Sequence, residues 1–395
     1  MNINKRNYRL LIGVSFVRFF GDALFYAFLT RYFASLHFNS FQLGALIGAI
    51  PAMAVLGNIV LSRFATNLRK NRIILISWTL IEGTFIALSG FVSSFWLILL
   101  FDCLVCFCSN SYYNLLDTFI VYITGKTEKS YSSVRVFGTI AYIVSTFLGG
   151  ILIANITYKY SFLIGGCLML LSALVFLFIK FDLDDLKKSE LDSKQKPVRV
   201  RELFSNKNYV YYLLIIVLLL GVHWVSDNMY NLYTNYLNIS DKTFGYFTSG
   251  SMIVEALTLV IATRFRTFKA FRNMITIAAV CIVLKLTIFA IPGLNNYVYL
   301  VTQLLRGVTF GLILASNLYF LTAIVEAKYV NKGFFIAVAA DELFSALCSI
   351  VGPTLIEATS YTVVFSILAV FAALSLIFIY LVKPIDTNQF KLKVA

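Results

Sequence analysis

Residues 111–150 read SYYNLLDTFIVYITGKTEKSYSSVRVFGTIAYIVSTFLGG. The stretch closes one long apolar run and, after a short basic turn, opens the next. An acid, Asp117, lies near the end of the first run, and a base, Arg135, at the start of the second. Ionised side chains at lipid depth are costly and are kept where they pair or line a wet cavity. Asp117 and Arg135 are therefore the first candidates for a functional site, and the runs around them decide what kind of molecule carries it.

With 59% hydrophobic and 13% charged residues over 395 positions and a mean hydropathy of +0.83, the chain is too apolar for a soluble globule of this size. It reads as an all-α polytopic membrane protein. Apolar runs long enough to span a bilayer fall at 10–33, 42–63, 73–92, 95–124, 133–156, 160–180, 209–236, 243–263, 273–291, 297–325, 333–357 and 361–382. They make twelve transmembrane helices, expected as two pseudo-symmetric six-helix bundles at 1–181 and 208–395. The long polar segment at 182–207 is expected to link them. The first apolar run is too long for a cleavable signal peptide.

The formal charge of +14 invites a nucleic-acid reading, but its distribution argues against one. In the loops, nearly all basic residues fall on the side that holds both chain ends and the linker, and only Lys159 and Lys242 fall on the other. The positive-inside rule places the ends and the linker in the cytoplasm, and the plasma membrane is the expected location. Six cysteines, three of them (Cys103, Cys106 and Cys108) inside one apolar helix, give neither a disulfide framework nor a zinc spacing. No metal and no cofactor are expected. Phosphate loops and catalytic constellations are absent from the sequence, so the chain is not read as an enzyme.

The intramembrane polar residues carry the rest. Arg18 and Asp22 stand at i, i+4 and are expected to pair as a structural ion pair, with a cavity role as the alternative. Arg31 is near enough to a boundary to snorkel. Glu82 and Asp102 have no partner in their own runs and are read as structural. Asn110, Asn114 and Asp117 share one helix face with Tyr113 beside it, whereas Arg135, Gly138, Tyr142, Ser145 and Gly149 share another. A guanidinium can fork onto paired hydroxyls, a carboxylate accepts hydroxyl protons, and an aromatic face packs on the apolar side of a ring. Asp117, Arg135, Tyr142, Asn114 and Tyr113 are thus candidate substrate-binding residues, against the alternative that the charged pair only ties two helices together. In the second half, 221–238 read GVHWVSDNMYNLYTNYLN, with His223, Asp227, Tyr230 and Asn231 at helical spacing. Asp227 and Trp224 join the substrate-binding candidates. His223, Glu255, Lys285, Arg306 and Asp341 are the candidates for proton coupling, with Glu255, paired to Lys285 or Arg306, favoured as the proton carrier.

A cap-and-glycine sequence at Asn39–Gly44 recurs as Ser240–Gly245, 201 residues on, in keeping with an internal repeat. Twelve spans in two halves, a basic linker and this repeat resemble the major facilitator superfamily. Its loop motif after the second span survives only in part, from Gly57 to Arg63, Arg69, Lys70 and Arg72, with Arg63 about where an acid is expected. Locally, Tyr131, Arg135, Phe137 and Gly138 form a Tyr-x-x-x-Arg-x-aromatic-Gly pattern, with Asp117 18 residues before the arginine and Tyr142 seven after it. This is similar to the lactose permease and the related nucleoside and phenylpropionate proton symporters. The resemblance implies that the acid and the arginine hold the solute and that Tyr142 stacks on it. It also implies proton coupling in the second half, but there this chain departs. Glu255 lies a turn beyond the expected carboxylate, Lys285 stands in place of an arginine, Arg306 in place of a histidine, and Asp341 in place of a lysine.

The resulting expectation is a secondary active transporter, a proton-coupled symporter that takes up a small polar ring-bearing solute (sugar, glycoside or nucleoside) by alternating access. Its expected partners are that solute, a proton and the lipid bilayer, with no nucleic acid, and the chain is expected to act as a monomer. An exporter of drugs or sugars, and a lipid-handling or sensor member of the fold, remain the alternatives.

Overall fold

The computed structural model describes residues 3–65, 67–127, 129–180, 200–265 and 267–384. Among them the only regular elements are helices. Most of the expected linker, 182–199, lies outside the described residues, and its end forms a short helix, Val200–Ser205.

In chain order the elements are α1 (Ile3–Tyr26), α2 (Leu29–Ser35), α3 (Ser40–Phe64), α4 (Leu68–Ser89), α5 (Phe95–Gly125), α6 (Ser132–Leu177), α7 (Val200–Ser205), α8 (Lys207–Ile216), a π-helical turn at Val217–Gly221, α9 (Val222–Tyr236), α10 (Asp241–Ala262), α11 (Phe268–Ala290), α12 (Asn296–Thr302), α13 (Leu304–Thr322), α14 (Ala327–Ala358) and α15 (Tyr361–Leu381). Eleven stretches of the described residues are long and apolar enough to cross a membrane. The eleventh-against-twelve difference lies in α6, which at 46 residues is too long for one crossing. Thr157, at φ 81° and ψ 162°, breaks it where the sequence divides 133–156 from 160–180. A β-branched residue at positive φ is a real backbone outlier, and the turn between two spans is where it falls.

The exposure pattern is that of a protein in lipid rather than water. Leu80, Leu100, Leu171 and Leu174 are exposed, whereas Arg18, Asp22, Glu82, Asp102, Lys285 and Asp341 are buried. Lipid tails solvate the first set at no cost, and the second set must find partners inside the protein.

The described residues divide into two compact units, one within 1–196 together with 240–249, the other within 197–239 and 250–395. The same devices recur in the two halves of the sequence. His37 and Asn238 both take positive φ, 56° and 55°, two residues ahead of the caps Asn39 and Ser240. Asn39 Oδ1 accepts from Gln42 N, and Ser240 Oγ from Thr243 N. Asn67 caps α4 and Thr267 caps α11 in the same way. Arg72 donates to the Leu177 carbonyl at 2.7 Å, and Arg272 to the Val382 carbonyl at 2.8 Å. Asn7 bonds the backbone of Lys180, and Asn208 that of Lys383. Each pair sits about 200 residues apart, so the repeat glimpsed at two caps extends to the staples that tie the first and third spans of each half to its last.

Arg31 does not snorkel. It is buried, and its Nε donates to Asp241 Oδ1 at 2.7 Å, an oxygen that also accepts from the Tyr158 hydroxyl at 2.8 Å.

Candidate transport site

In the first unit, α5 carries Asp117 and α6 carries Arg135, and Arg135 Nη1 donates to Asp117 Oδ1 at 3.3 Å. The two side chains keep 37% and 34% exposure, so the pair is neither sealed nor fully solvated. The guanidinium lies over the Phe19 ring at 4.7 Å and reaches Tyr113 at 5.9 Å. Phe19 is positioned by Gly138, where any side chain would strike its ring. This is the physical reason for a glycine three residues after the arginine. Beside Tyr113 opens a cavity of about 180 Å³, lined by Tyr142, Tyr26, Ser109, Asn110, Cys106 and others. Tyr142 and Tyr113 thus share a void, with Arg135 behind Tyr113. Asp117 and Arg135 are not among the residues lining that void. Asn114, expected to join the charged pair, instead donates to Asn58 Oδ1 at 3.0 Å and bridges α5 to α3.

Deeper in the same unit, the expected Arg18–Asp22 pair forms at 3.2 Å, and both side chains are wholly buried. Arg18 makes a shorter contact, 2.6 Å, to Glu82 on α4. Glu82, read from sequence as an acid without a partner, is therefore a member of the cluster. Tyr113 donates to Asp22 Oδ2 at 2.5 Å and Tyr26 to Glu82 Oε1 at 3.0 Å. The Tyr112 ring lies 4.3 Å from the guanidinium carbon. Asp102, on α5, accepts from the Cys106 thiol at 3.5 Å.

The second unit holds a different network. Asp227, on α9, receives Lys285 Nζ at 2.9 Å on one oxygen and Arg306 Nε at 2.5 Å on the other. Arg306 Nη1 reaches on to Glu255 Oε2 at 3.2 Å. Lys285 also donates to Ser226. Two cations and two carboxylates are matched across α9, α10, α11 and α13, which is what a low-dielectric bundle requires. The π-helical turn just ahead of α9 widens the helix before this face, a device often met at functional sites.

The remaining candidates differ in their surroundings. Asp227, expected to bind substrate, is held on both oxygens by cations, Lys285 and Arg306. Glu255 pairs with Arg306 and not with Lys285. His223 is fully buried, stacks on Phe310 at 5.2 Å, and stays 3.8 Å from Asp227, with neither ring nitrogen hydrogen-bonded. Trp224, expected to bind substrate, packs edge-on against the same Phe310 at 5.1 Å. Asp341 is buried on α14 with Oδ1 unpartnered, and no salt bridge of the described residues reaches it. It stands outside the network it was grouped with. Among the described residues no group of three or more His, Cys, Asp or Glu is placed to hold a metal ion.

No curated protein sequence matches the chain. Among solved structures, an aspartate-to-alanine mutant of the nucleoside transporter NupG superposes with a TM-score of 0.82 at 16% identity, covering 95% of this chain and 99% of that one. The unmutated nucleoside transporter NupG gives 0.75 at 18% identity, covering 96% and 98%. At these identities the likeness carries the fold, which is that of the major facilitator superfamily. The profile of the MFS_1-like family matches residues 8–367, nearly the whole chain. It therefore belongs to the MFS_1-like family and is an integral membrane transporter rather than an enzyme.

Proposed function

We propose that this transporter takes up a small polar ring-bearing solute, with a nucleoside as the first choice and a sugar or glycoside next, and that a proton moves with it. The observation that carries the reading is the partly exposed Asp117–Arg135 pair, whose guanidinium comes 5.9 Å from the ring of Tyr113, a residue that lines the Tyr142 cavity. A 3.3 Å bond with a third of each partner exposed leaves donor and acceptor positions open to a solute's hydroxyls. Tyr142 offers a ring face for its flat side. The nucleoside transporters that share the fold end to end supply the choice of solute. In the second unit Glu255 is the carboxylate with a single cation partner and the greater exposure, 23% against 16% for Asp227. It is the one from which a proton is most readily gained and lost, while Asp227 is clamped twice. The basic loops place the ends of the chain in the cytoplasm, the bilayer is the plasma membrane, and one copy forms the working unit.

The test is a panel of radiolabelled nucleosides, hexoses and glycosides offered to proteoliposomes with an acidic exterior. Accumulation of one of these classes, abolished by a protonophore, supports the reading. A panel that stays outside, together with proton-driven extrusion of apolar drugs from loaded vesicles, would favour the exporter.

A further inference from the structure

The two units differ in their charge balance. Around Asp227 two cations face two carboxylates. Around Arg18 one guanidinium faces two carboxylates, Asp22 at 3.2 Å and Glu82 at 2.6 Å, and all three side chains are wholly buried. An extra anion at a fully buried site is strongly disfavoured even after relaxation, and a carboxyl escapes that cost by holding a proton. The groups facing the cluster do not change the count. Tyr26, Tyr112 and Tyr113 are phenols, and Cys106 and Cys108 are thiols. Asp102 is a further acid, which makes a second anion there less favourable. Arg135 is engaged by Asp117 at 3.3 Å, with its guanidinium over Phe19 and 5.9 Å from the Tyr113 ring. Arg18 Nε and Nη1 are buried in the same cluster without a hydrogen bond to another protein group, whereas Asp22 Oδ1 faces Arg18 Nη2 at 3.2 Å.

The two phenols that bond the acids also line the 180 Å³ cavity that Tyr142 lines. Tyr113 donates to Asp22 and Tyr26 to Glu82. Each hydroxyl is a one-step relay: it passes its proton to the carboxylate as it takes another from the cavity side, so that no phenolate is left behind. We propose that Asp22 and Glu82 form a proton-binding site in the first unit, holding one exchangeable proton between them and reached through Tyr113 and Tyr26. This deepens the proposed proton coupling and rests on it only for what the proton drives; the occupancy of the site does not depend on the solute. The site sits one tyrosine from the solute-side cavity, so filling that cavity and loading the proton are physically adjacent events.

Infrared difference spectroscopy on the purified transporter tests this without any solute. The protonated carboxyl band of the wild type at neutral pH is expected to shift on transfer to heavy water. Glu82→Gln and, independently, Asp22→Asn are each expected to remove one carboxyl's share of it, because the remaining acid then pairs with Arg18 as a carboxylate. Contributions from Asp102 and Asp341 are common to all three proteins and cancel. Two neutral variants are used so that the loss of one fold leaves the other readable, and the Gln side chain keeps the contacts to Arg18 and Tyr26. A difference spectrum unchanged by both substitutions, or a lost band that never shifts in heavy water, would overturn the site. A panel in which no solute moves would overturn the proposed function and leave this result standing.

Discussion

At the scale of single residues, the site is a question of which charges are spare. Asp227 is not. It pairs with Lys285 and Arg306 at once, so Asp227→Asn leaves Lys285 without its carboxylate and Arg306 with Glu255 alone, and is expected to lower stability by about 3–5 kcal/mol. A melting curve in detergent would show it as a fall of many degrees, and a melting temperature equal to wild type would remove Asp227 as an anchor. Glu255 has one partner and partial exposure. Glu255→Gln is expected to preserve exchange of labelled for unlabelled solute across the membrane while uphill accumulation stops. Undiminished accumulation would move that proton elsewhere. The sequence showed the Arg18–Asp22 pair because the two are one helical turn apart on a single helix. Glu82 was missed because its partner is 64 positions away, on another helix, where spacing says nothing. Asp341 was grouped with the network on its apolar surroundings and on the resemblance that sets it in place of a lysine, and nothing local in sequence tells which side of a helix meets a cation.

At the scale of elements, the helices were legible because each crossing needs some twenty apolar residues in a row, and twelve such runs are hard to mistake. The break inside α6 was legible as a dip in that apolar run, but the conformation of Thr157 was not, since nothing about threonine favours positive φ. Removing its Cβ should relieve that strain, so Thr157→Gly is expected to raise stability by about 1 kcal/mol or more, measured by thermal unfolding in detergent. An unchanged or lower melting temperature would mean that the turn is not strained. The helices of the first unit approach most closely through glycine. Gly165 lies against the Gly21 backbone and Gly166 against that of Gly83, with no room for a Cβ. Gly166→Val is expected to separate α4 from the end of α6 and to cost about 1–3 kcal/mol. Because α4 carries Glu82, the same change should weaken the Arg18 cluster. Wild-type stability in this variant would show that the helices can part freely.

At the scale of the whole molecule, the repeat was visible in sequence only where it surfaced as a cap, at Asn39 and Ser240. The structure extends it to Arg72 and Arg272, and to Asn7 and Asn208, which hold the last helix of each half by bonds to backbone carbonyls and amides. Those arginines were read only as inward-side charge. Each has an acceptor more than 100 positions away, which no local pattern announces. The expected topology has its own check. In a cysteine-free background, a cysteine at Lys70 should react with an impermeant maleimide only from the cytoplasmic side and one at Lys159 only from outside. The reverse pattern would invert the chain. The proposed function rests on the Asp117–Arg135 pair, and binding reads it most directly. Isothermal titration with the accumulated solute should show Asp117→Asn and Arg135→Lys each weakening affinity roughly 10- to 100-fold, the scale of one charge-assisted hydrogen bond, with melting temperatures unchanged. Wild-type affinity in both variants would contradict the assignment of the pair to the solute.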